Sequence, residues 1–408
     1  MTILIANARV VTLRGGAGVR RGSTMGELGV IAHGWVRVEG DRIAGVGSGD
    51  AGTRAERVID ARGRVVMPGF VDCHTHACWA GDRIDEWRMR LSGTGYQEIL
   101  VRGGGLLSTV RAVRSASEES LAGLLRERLD HMLREGTTTV EVKSGYGLST
   151  EHELKMLRAI GRAARDWAGT VVPTACLGHA IDPGAAREEF VARTIGETLG
   201  AVSGEFPGIG VDAYCERGAW TLEECQRLFE RARALGHPCR VHAEQFSRLG
   251  MTAWAASHGF RSVDHLEAAG EAERAVLAGS ETIGVVLPAS GFHLGTGYAD
   301  ARALIDAGAG VALATNMNPG SAPTGSMGMS MALGVRCCGF TAEEAITASC
   351  VNGAAVLGLG DRGRIEVGLR ADLVVLRHSD ERELAHSFGG SVTALVIAGG
   401  VVVDVGAL

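Results

Sequence analysis

The stretch MPGFVDCHTH (Met67–His76) decides the fold and the chemistry of this chain. An apolar, strand-like run from Val65 to Val71 leads directly into a His-x-His pair. Because alternate residues of an extended chain point the same way, His74 and His76 can direct two imidazoles at one point. Neutral imidazole is the commonest metal ligand in proteins. The pair alone is equally consistent with two hydrogen-bonded polar histidines, so the rest of the chain has to decide.

Composition and charge argue for a soluble globular protein without a nucleic-acid or membrane partner. Apolar residues make up 46% of the 408 positions, charged residues make up 22%, and the net charge is -6. That balance offers neither a basic surface for nucleic acid nor a polybasic membrane anchor. No apolar stretch reaches the roughly 18 residues of a membrane span, and the start, Met1–Asn7, lacks a signal-like core. We therefore expect a cytoplasmic protein in which most of the nine cysteines, which form no Cys-x-x-Cys pair, are reduced and buried.

Both ends of the chain read as short strands separated by turns. Trp35–Val46 alternates apolar and polar residues around a Gly-Asp turn and predicts a hairpin, and Ala371–Leu376 is strand-like. Neither terminal piece is long enough to bury a core alone. We therefore expect residues 1–66 and 362–408 to pair into one small composite β-sandwich domain. The glycine-rich segment Arg14–Gly29 is expected to be a mobile loop.

Between the two ends, residues 67–361 alternate strand-like and helix-like segments. Helical periodicity is clearest over Leu121–Leu133, and Ser115 and Glu118 have capping-box spacing just before it. After the opening run, the further strand-like runs are 137–142, 170–177, 210–215, 239–244, 262–266, 282–287 and 310–315. Eight strands alternating with helices predict an α/β fold, a (β/α)8 barrel of the TIM type. An open, doubly wound sheet is disfavoured because no G-x-G-x-x-G follows an early strand.

The carboxyl ends of barrel strands carry the active site, and histidines are concentrated there. Five of the 13 histidines fall at predicted strand ends: His74, His76, His179, His242 and His265. A metal site explains such a group better than five separate packed histidines. His74, His76 and His242 are our candidate ligands, because three histidines suit a divalent ion that keeps a position open for water. Such an ion activates water and polarises a carbonyl.

Two further residues at strand ends leave alternatives open. His265 follows the next strand and can stabilise the attacking water or the developing oxyanion; otherwise it is a packed histidine paired to Asp264. Lys143 could carry a bridging carbamate for a second metal, but we favour an ion pair with Glu141 or an acidic neighbour.

Several motifs along the chain carry a family resemblance. Val66–His76 and Gly363–Leu373 are general signals of a metal-dependent hydrolase with a split β domain. Narrower signals are Gly81–Arg83, Gly103–Gly105, Ser108–Arg111, Glu141–Gly147, Leu154–Leu157 and Asn318–Ser321. On these motifs nearly the whole chain resembles the amidohydrolase superfamily and, within it, the imidazolonepropionase family. The resemblance implies that water opens the ring of 4-imidazolone-5-propanoate to give N-formimidoyl-L-glutamate, a step of histidine degradation.

The resemblance also implies a cofactor, a partner and substrate contacts. It implies one divalent metal ion, Zn or Fe, and a small-molecule substrate, and a homodimer is expected only by analogy with other barrels of this size. Arg83 offers a bidentate fork for the propanoate carboxylate; its alternative is a surface ion pair with Asp82 or Asp85. Contacts to the ring or tail are implied for Tyr146, His179, Gln245, Asn318, Gly320 and Ser321. The glycines at 103–105 are expected in a loop close to the site.

One residue departs from the family pattern. The family places an aspartate, which touches the metal and accepts the proton of water, where this chain has Asn316. An amide offers only a neutral, weaker ligand oxygen and cannot act as that base. Three consequences are then possible: His265 or Glu244 takes the proton, activity is reduced, or the metal differs. Gln245 is expected beside these two residues at the catalytic centre. Two alternatives stay open: another cyclic-amide hydrolase or heterocycle deaminase, and a catalytically weakened homologue with a binding role.

Overall fold

Two β-sheets organise the chain. The computed structural model describes residues 1–16, 18–52, 55–93 and 104–403. The strands are β1 (Thr2–Val11), β2 (Val30–Glu39), β3 (Arg42–Ser48), β4 (Arg57–Asp60), β5 (Val65–Pro68), β6 (Phe70–Asp72), β7 (Thr137–Lys143), β8 (Thr170–Gly178), β9 (Gly210–Cys215), β10 (Arg240–Ala243), β11 (Ser262–His265), β12 (Ile283–Val286), β13 (Val311–Leu313), β14 (Leu373–Leu376), β15 (Thr393–Ala398) and β16 (Val401–Val403). The α-helices are Ile84–Leu91, Leu106–Ser115, Glu118–Arg134, Thr150–Ala164, Arg187–Arg193, Leu199–Glu205, Leu222–Ala234, Met251–Ser257, Glu271–Ala278, Pro288–Leu294, Ala301–Asp306, Met327–Cys337, Ala342–Thr347, Gly353–Val356 and Glu383–His386. A 3-10 helix spans Gly22–Gly26, and π-helical turns span Thr194–Thr198 and Ala348–Asn352.

The first sheet is built from both ends of the chain. Its strand order is β16-β15-β14-β5-β1-β2-β3, with β4 also paired to β1. The two ends meet where β14 runs antiparallel to β5, with Val374 opposite Met67. Strands far apart in this order, β2 through Val36 and β15 through Ile397, share one buried apolar cluster. The sheet therefore folds over its own core as a small β-sandwich.

The opening stretch joins the two sheets. β5 belongs to the first sheet and β6 to the second, so the chain passes between them at Gly69. A Cβ on Gly69 would lie 2.3 Å from Thr138 Oγ1 on β7, well inside contact distance. Glycine is required there because β7 approaches the backbone so closely. One apolar run of sequence thus becomes two short strands with different partners.

The second sheet is a barrel of eight parallel strands, β6 to β13, each paired with the next along the chain. Its seam is closed just beyond the first and last strands. The backbone N–H of His76 donates to Met317 O at 2.9 Å, and that of Asn316 donates to His74 O at 3.0 Å. The predicted (β/α)8 barrel is confirmed, and its closure brings the His-x-His pair against Asn316.

One helix start differs from the prediction. The helix Glu118–Arg134 is capped by Ser117, whose side chain accepts from the backbone N–H of Ser120. Ser115 is instead the last residue of the preceding helix. The predicted capping box of Ser115 and Glu118 was therefore wrong, because the preceding residues form a helix of their own.

The segment Arg14–Gly29 is anchored, so the prediction of a mobile loop was wrong for its described residues. Arg20 is only 7% exposed. The Asn352 side chain accepts from the backbone N–H of Arg20 at 2.9 Å and donates to its carbonyl oxygen at 3.0 Å. The same amide also donates to Val311 O at 2.7 Å. These bonds fix the segment against the start of β13; Ala17 lies outside the described residues.

The described helices include none that is both long enough and apolar enough to cross a bilayer.

Candidate active site

Five histidines meet at the carboxyl ends of the barrel strands. The ring centroids of His74 and His242 lie 4.5 Å apart, and those of His76 and His242 lie 5.1 Å apart. His265 lies 5.5 Å from His242. His179 stacks on His76 at 4.7 Å, with 13° between the ring planes. All five side chains are buried, so the structure brings together every histidine that the sequence placed at a strand end.

Three of these rings are arranged to hold a metal ion. His74, His76 and His242 each present one ring nitrogen, and the three atoms lie within 4.8 Å of one another. Nε2 of His74 is buried without a hydrogen-bond partner, and the Nε2 atoms of His76 and His242 face each other at 3.0 Å. Burial holds the pKa of His74 and of His76 well below the usual range, so both rings are neutral. Three converging ring nitrogens, one of them without a hydrogen-bond partner and the other two facing each other, fit a divalent cation.

Two carboxylates hold the rings of His74 and His242 on the side away from the candidate metal position. Nδ1 of His74 donates to Asp264 Oδ2 at 2.6 Å, and Nδ1 of His242 donates to Asp212 Oδ1 at 3.1 Å. A neutral imidazole that donates from Nδ1 keeps its lone pair on Nε2. The carboxylates therefore select the tautomer that a metal ion needs.

His265 pairs with a glutamate two residues on. The alternative pairing of His265 with Asp264 is wrong, because Asp264 accepts from His74 across the barrel. Nδ1 of His265 instead donates to Glu267 Oε1 at 3.1 Å. The φ of His265 is +90°, a strained value of the kind that collects at functional sites. Donation from Nδ1 leaves Nε2 of His265 as a proton acceptor.

Lys143 forms a buried ion pair. Its Nζ lies 2.7 Å from Glu141 Oε1 and 2.7 Å from Asp212 Oδ2. Burial and Arg240 act to lower the pKa of Lys143, but Asp212, Glu141 and Asp264 outweigh them and raise it. A protonated amine does not form a carbamate, so the favoured ion pair with Glu141 is confirmed.

A second set of donors, Cys176, Asp212 and His242, also lies close together within the described residues. It is not independent, since Asp212 already accepts from His242 and contacts Lys143. Burial raises the pKa of the Cys176 thiol well above its usual value, so the sulfur stays protonated. The geometry therefore favours one metal position.

The two residues after β10 have different surroundings. Glu244 Oε1 accepts from the backbone N–H of Met251 at 3.1 Å, and Glu244 Oε2 accepts from Thr252 Oγ1. Both oxygens are occupied in capping the next helix, so His265 is the better placed of the two proton acceptors considered. Gln245 Oε1 accepts from the hydroxyl of Tyr214 at 2.7 Å, which directs its amide N–H groups elsewhere.

Comparison with known proteins fits this geometry. The model of the amidohydrolase family matches residues 65–403. The imidazolonepropionase of Deinococcus radiodurans is 44% identical over 383 residues, which cover 94% of this chain and 95% of that protein. The imidazolonepropionase of Symbiobacterium thermophilum is 43% identical over 99% of this chain and 97% of that protein. The chain belongs to the amidohydrolase family and, within it, to the imidazolonepropionases.

Solved structures share the amidohydrolase fold at low sequence identity. A triazine hydrolase variant superposes with a TM-score of 0.75 at 20% identity, covering 99% of this chain and 94% of that chain. An adenosine deaminase from Xanthomonas campestris with bound zinc gives 0.70 at 19% identity, with coverages of 98% and 92%. These likenesses extend through both the barrel and the split β domain.

Arg83, the carboxylate anchor expected in an imidazolonepropionase, is fixed beside the loop after β13. Its Nε and Nη2 donate to the two carboxylate oxygens of Glu86 at 2.5 Å each. The alternative of a surface pair with Asp82 or Asp85 is therefore wrong. A Cβ on Gly320 would lie 2.8 Å from Nη1 of Arg83. The guanidinium thus lies against Gly320.

Asn318 shapes the loop that carries Gly320. Its Oδ1 accepts from the backbone N–H groups of Gly320 and Ser321 at 2.8 Å each. Its Nδ2 donates to Asn316 O at 2.7 Å and to Ser321 Oγ at 2.8 Å. All four bonds lie within the loop, so Asn318 influences a substrate through the shape of that loop.

The expected loop at 103–105 reaches the same arginine. The backbone N–H of Gly105 donates to Glu86 Oε2 at 2.8 Å. Glu86 therefore connects this loop to Arg83; Gly103 lies outside the described residues.

Tyr146 and His179 lie on the other side of His76. The Tyr146 ring centroid is 5.1 Å from that of His179 and 6.0 Å from that of His76. Nδ1 of His179 donates to Gly145 O at 2.9 Å, and burial lowers the pKa of His179 to about 4. The neutral ring keeps Nε2 as an acceptor. Burial raises the pKa of Tyr146, so its hydroxyl remains a donor beside that acceptor.

Asn316 stands where the family pattern has aspartate, and it lies directly beside a candidate ligand. Its φ is +57°, a left-handed conformation that asparagine adopts more readily than most residues. The bond from its N–H to His74 O places it at the barrel seam. Its amide oxygen is the only ligand atom that it can offer to a cation.

Sequence reasoning missed residues that act behind the site. It did not single out Asp212, Tyr214, Arg240 or Glu267. A usable signal was present in β9, where Asp212 is fully buried inside an apolar strand. A buried charge in such a strand needs a partner, but the sequence does not say which one.

Proposed function

We propose that this chain hydrolyses the cyclic amide of 4-imidazolone-5-propanoate to N-formimidoyl-L-glutamate, a step of histidine degradation. The observation that carries the proposal is Arg83 held beside Gly320, where the segments that follow β6 and β13 and carry His74, His76 and Asn316 meet. An arginine suits a carboxylate tail, and the cluster suits hydrolysis of the ring. The sequence relationship to imidazolonepropionases supports the same substrate.

We infer one divalent ion, zinc or iron, as the cofactor. His74, His76 and His242 would hold it, with the amide oxygen of Asn316 as a weak fourth ligand. When bound, the ion would polarise the ring carbonyl and lower the pKa of water. Three imidazoles suit several divalent ions. Elemental analysis of the purified protein decides between zinc and iron.

Proton transfer falls to His265. Water gives its oxygen to the ring carbonyl carbon, and the bond from that carbon to the ring nitrogen breaks. Nε2 of His265 takes a proton from water and returns it to the leaving nitrogen. Glu267 holds the ring for this task through Nδ1. Asn316 takes no part in proton transfer because an amide is not a base at neutral pH.

Binding of the substrate uses both sides of the cluster. Arg83 binds the propanoate carboxylate beside the backbone of Gly320 and Ser321. Tyr146 and His179 contact the ring as donor and acceptor. Gln245, held by Tyr214, offers its amide N–H groups to the substrate.

The test is the loss of ultraviolet absorbance of imidazolone propanoate with purified, metal-loaded protein. We expect turnover by the wild type and none by His242→Ala. His237→Ala is a matched control, because His237 is buried but bonds Ile209 O at 2.8 Å outside the cluster. Wild-type turnover no higher than that of His242→Ala would overturn the proposal. If the protein instead turns over a cyclic amide or amino-heterocycle without a carboxylate tail faster than imidazolone propanoate, it is another cyclic-amide hydrolase or a heterocycle deaminase.

A further inference from the structure

An unbroken chain of buried charges joins two of the candidate metal ligands. From His74 it runs to Asp264 (2.6 Å), Arg240 (2.7 Å), Glu141 (3.3 Å), Lys143 (2.7 Å), Asp212 (2.7 Å) and His242 (3.1 Å). Every one of these side chains is at most 4% exposed. The charges alternate in sign between the two imidazoles.

Glu141 is the middle of this chain. Its Oε1 contacts both cations, Arg240 and Lys143. Its Oε2 accepts from the backbone N–H of Thr75 at 3.1 Å, and its carbonyl oxygen accepts from Thr75 Oγ1 at 2.6 Å. Thr75 separates His74 from His76. Glu141 is therefore linked through Arg240 to His74 and through Lys143 to His242. Through Thr75 it also contacts the backbone between His74 and His76.

The chain also carries net charge. Asp212, Glu141 and Asp264 are three carboxylates, and Lys143 and Arg240 are two cations, so one negative charge is in excess when the imidazoles are neutral. A buried ionic network of this kind contributes little to stability compared with apolar side chains of the same volume. Negative charge behind the ligands does, however, stabilise a bound cation, and Asn316 supplies none.

We propose that Glu141 is a positioning residue for the metal centre. Through Arg240 and Asp264 it fixes the ring of His74, and through Lys143 and Asp212 it fixes that of His242. Through Thr75 it fixes the backbone of the His-x-His pair. The excess negative charge of the chain takes the place of the anionic ligand that Asn316 lacks. This inference rests on the proposed metal-dependent function.

The experiment measures Zn²⁺ affinity of the purified full chain by competition with a chromophoric chelator. Glu141→Gln keeps the shape of the side chain and a bond to Thr75 but removes the charge. We expect its Zn²⁺ dissociation constant to rise about 10- to 100-fold, with an altered visible spectrum of the Co²⁺-loaded protein. Glu381→Gln is the matched control, because Glu381 is a buried carboxylate bound by Arg9 at 2.6 and 2.8 Å in the small domain. Its Zn²⁺ affinity should equal that of the wild type.

A second variant covers a failure of the first to fold. Glu141→Gln combined with Lys143→Met removes one charge of each sign, so no cation is left without a partner. Because the excess negative charge of the chain is kept, a smaller loss of Zn²⁺ affinity is expected, from the lost positioning of the ligand rings alone. Either folded variant with wild-type affinity and an unchanged Co²⁺ spectrum would overturn the inference.

One measurement needs no variant. ¹⁵N NMR of histidine-labelled, metal-free wild type should show His74 and His242 protonated at Nδ1, and protonation of either at Nε2 would equally overturn the inference. A wild type that binds Zn²⁺ tightly but does not open the imidazolone ring would refute the proposed function and leave this inference intact.

Discussion

The backbone N–H of Asn316 donates to the carbonyl oxygen of His74 across 3.0 Å, and this bond ties the last barrel strand to the first. Two chain segments more than two hundred residues apart thus meet at the proposed metal centre. Whatever side chain stands at position 316 is held next to the first ligand. The exchange of aspartate for asparagine at this position is therefore a change in the charge of the metal site.

Restoring the carboxylate should strengthen the site. Asn316→Asp adds an anionic ligand oxygen and a base, and aspartate also adopts the left-handed backbone that this position needs. We expect Zn²⁺ to bind more tightly, on the order of ten-fold, and turnover of imidazolone propanoate to rise. Chelator competition and the ultraviolet assay measure the two effects. Asn7→Asp is the control, since Asn7 is an exposed asparagine of β1 with the same left-handed backbone, at a φ of +52°. Equal Zn²⁺ affinity of Asn316→Asp and the wild type would show that position 316 does not reach the metal.

Arg83→Lys should weaken binding of the substrate more than it slows the reaction. Lysine keeps the charge but loses the planar fork that binds Glu86 and a carboxylate at once. Loss of a charged hydrogen bond is worth about 1.5–3 kcal/mol, so KM should rise roughly 10- to 100-fold with a smaller change in kcat. Arg88→Lys, an exposed arginine on the same helix, should behave as the wild type. A KM that stays at the wild-type value would remove Arg83 from the substrate site.

Glu267→Gln should slow the chemical step. The glutamine amide can accept from Nδ1 of His265 less strongly, and it no longer stabilises the ring after a proton has arrived at Nε2. We expect kcat to fall about ten-fold or more with little change in KM. Steady-state kinetics with Glu271→Gln, an exposed residue nearby, as the control measure this split. A change confined to KM would instead mean that Glu267 shapes the substrate pocket.

The positions of the candidate ligands follow from the sequence because parallel strands present their carboxyl ends on one side. A histidine after an apolar run therefore predicts a place at the barrel mouth, and His74, His76, His179, His242 and His265 all follow this rule. Strand geometry also puts Lys143 and Glu141 on one side of β7, since they are two residues apart.

The partners behind the ligands do not follow from the sequence. His74 and Asp264 are 190 positions apart, and which acid meets which imidazole depends on the register and tilt of strands around the closed barrel. The anchoring of Arg20 by Asn352 is equally remote, at 332 positions. The glycines of Arg14–Gly29 predicted a mobile loop, because the sequence does not show that Asn352 binds this segment.

Gly69→Ala should destabilise the fold at the passage between the two sheets. The added Cβ would lie 2.3 Å from Thr138 Oγ1 and 2.5 Å from Thr138 Cγ2. Relief of such a clash requires a shift of β7, and overpacking of this kind costs about 1–3 kcal/mol. Gly123→Ala is the control, because Gly123 lies on an exposed helix face with nothing within 4 Å of the new Cβ. That variant should be slightly more stable than the wild type. Urea unfolding gives both values, and a Gly69→Ala protein as stable as the wild type would mean that the two sheets separate easily there.

Acidification should destabilise the metal-free protein through His179. Burial lowers the pKa of His179 to about 4, whereas an unfolded histidine titrates near 6.5. Between these values the unfolded state binds more protons, so the free energy of unfolding falls as the pH drops. One such group contributes a slope of about 1.4 kcal/mol per pH unit, or about 3 kcal/mol across the window. Urea unfolding between about pH 4.5 and 7.5 should show that slope reduced in His179→Asn and unchanged in His131→Asn, an exposed control. Equal slopes in the two variants would mean that folding does not lower the pKa of His179.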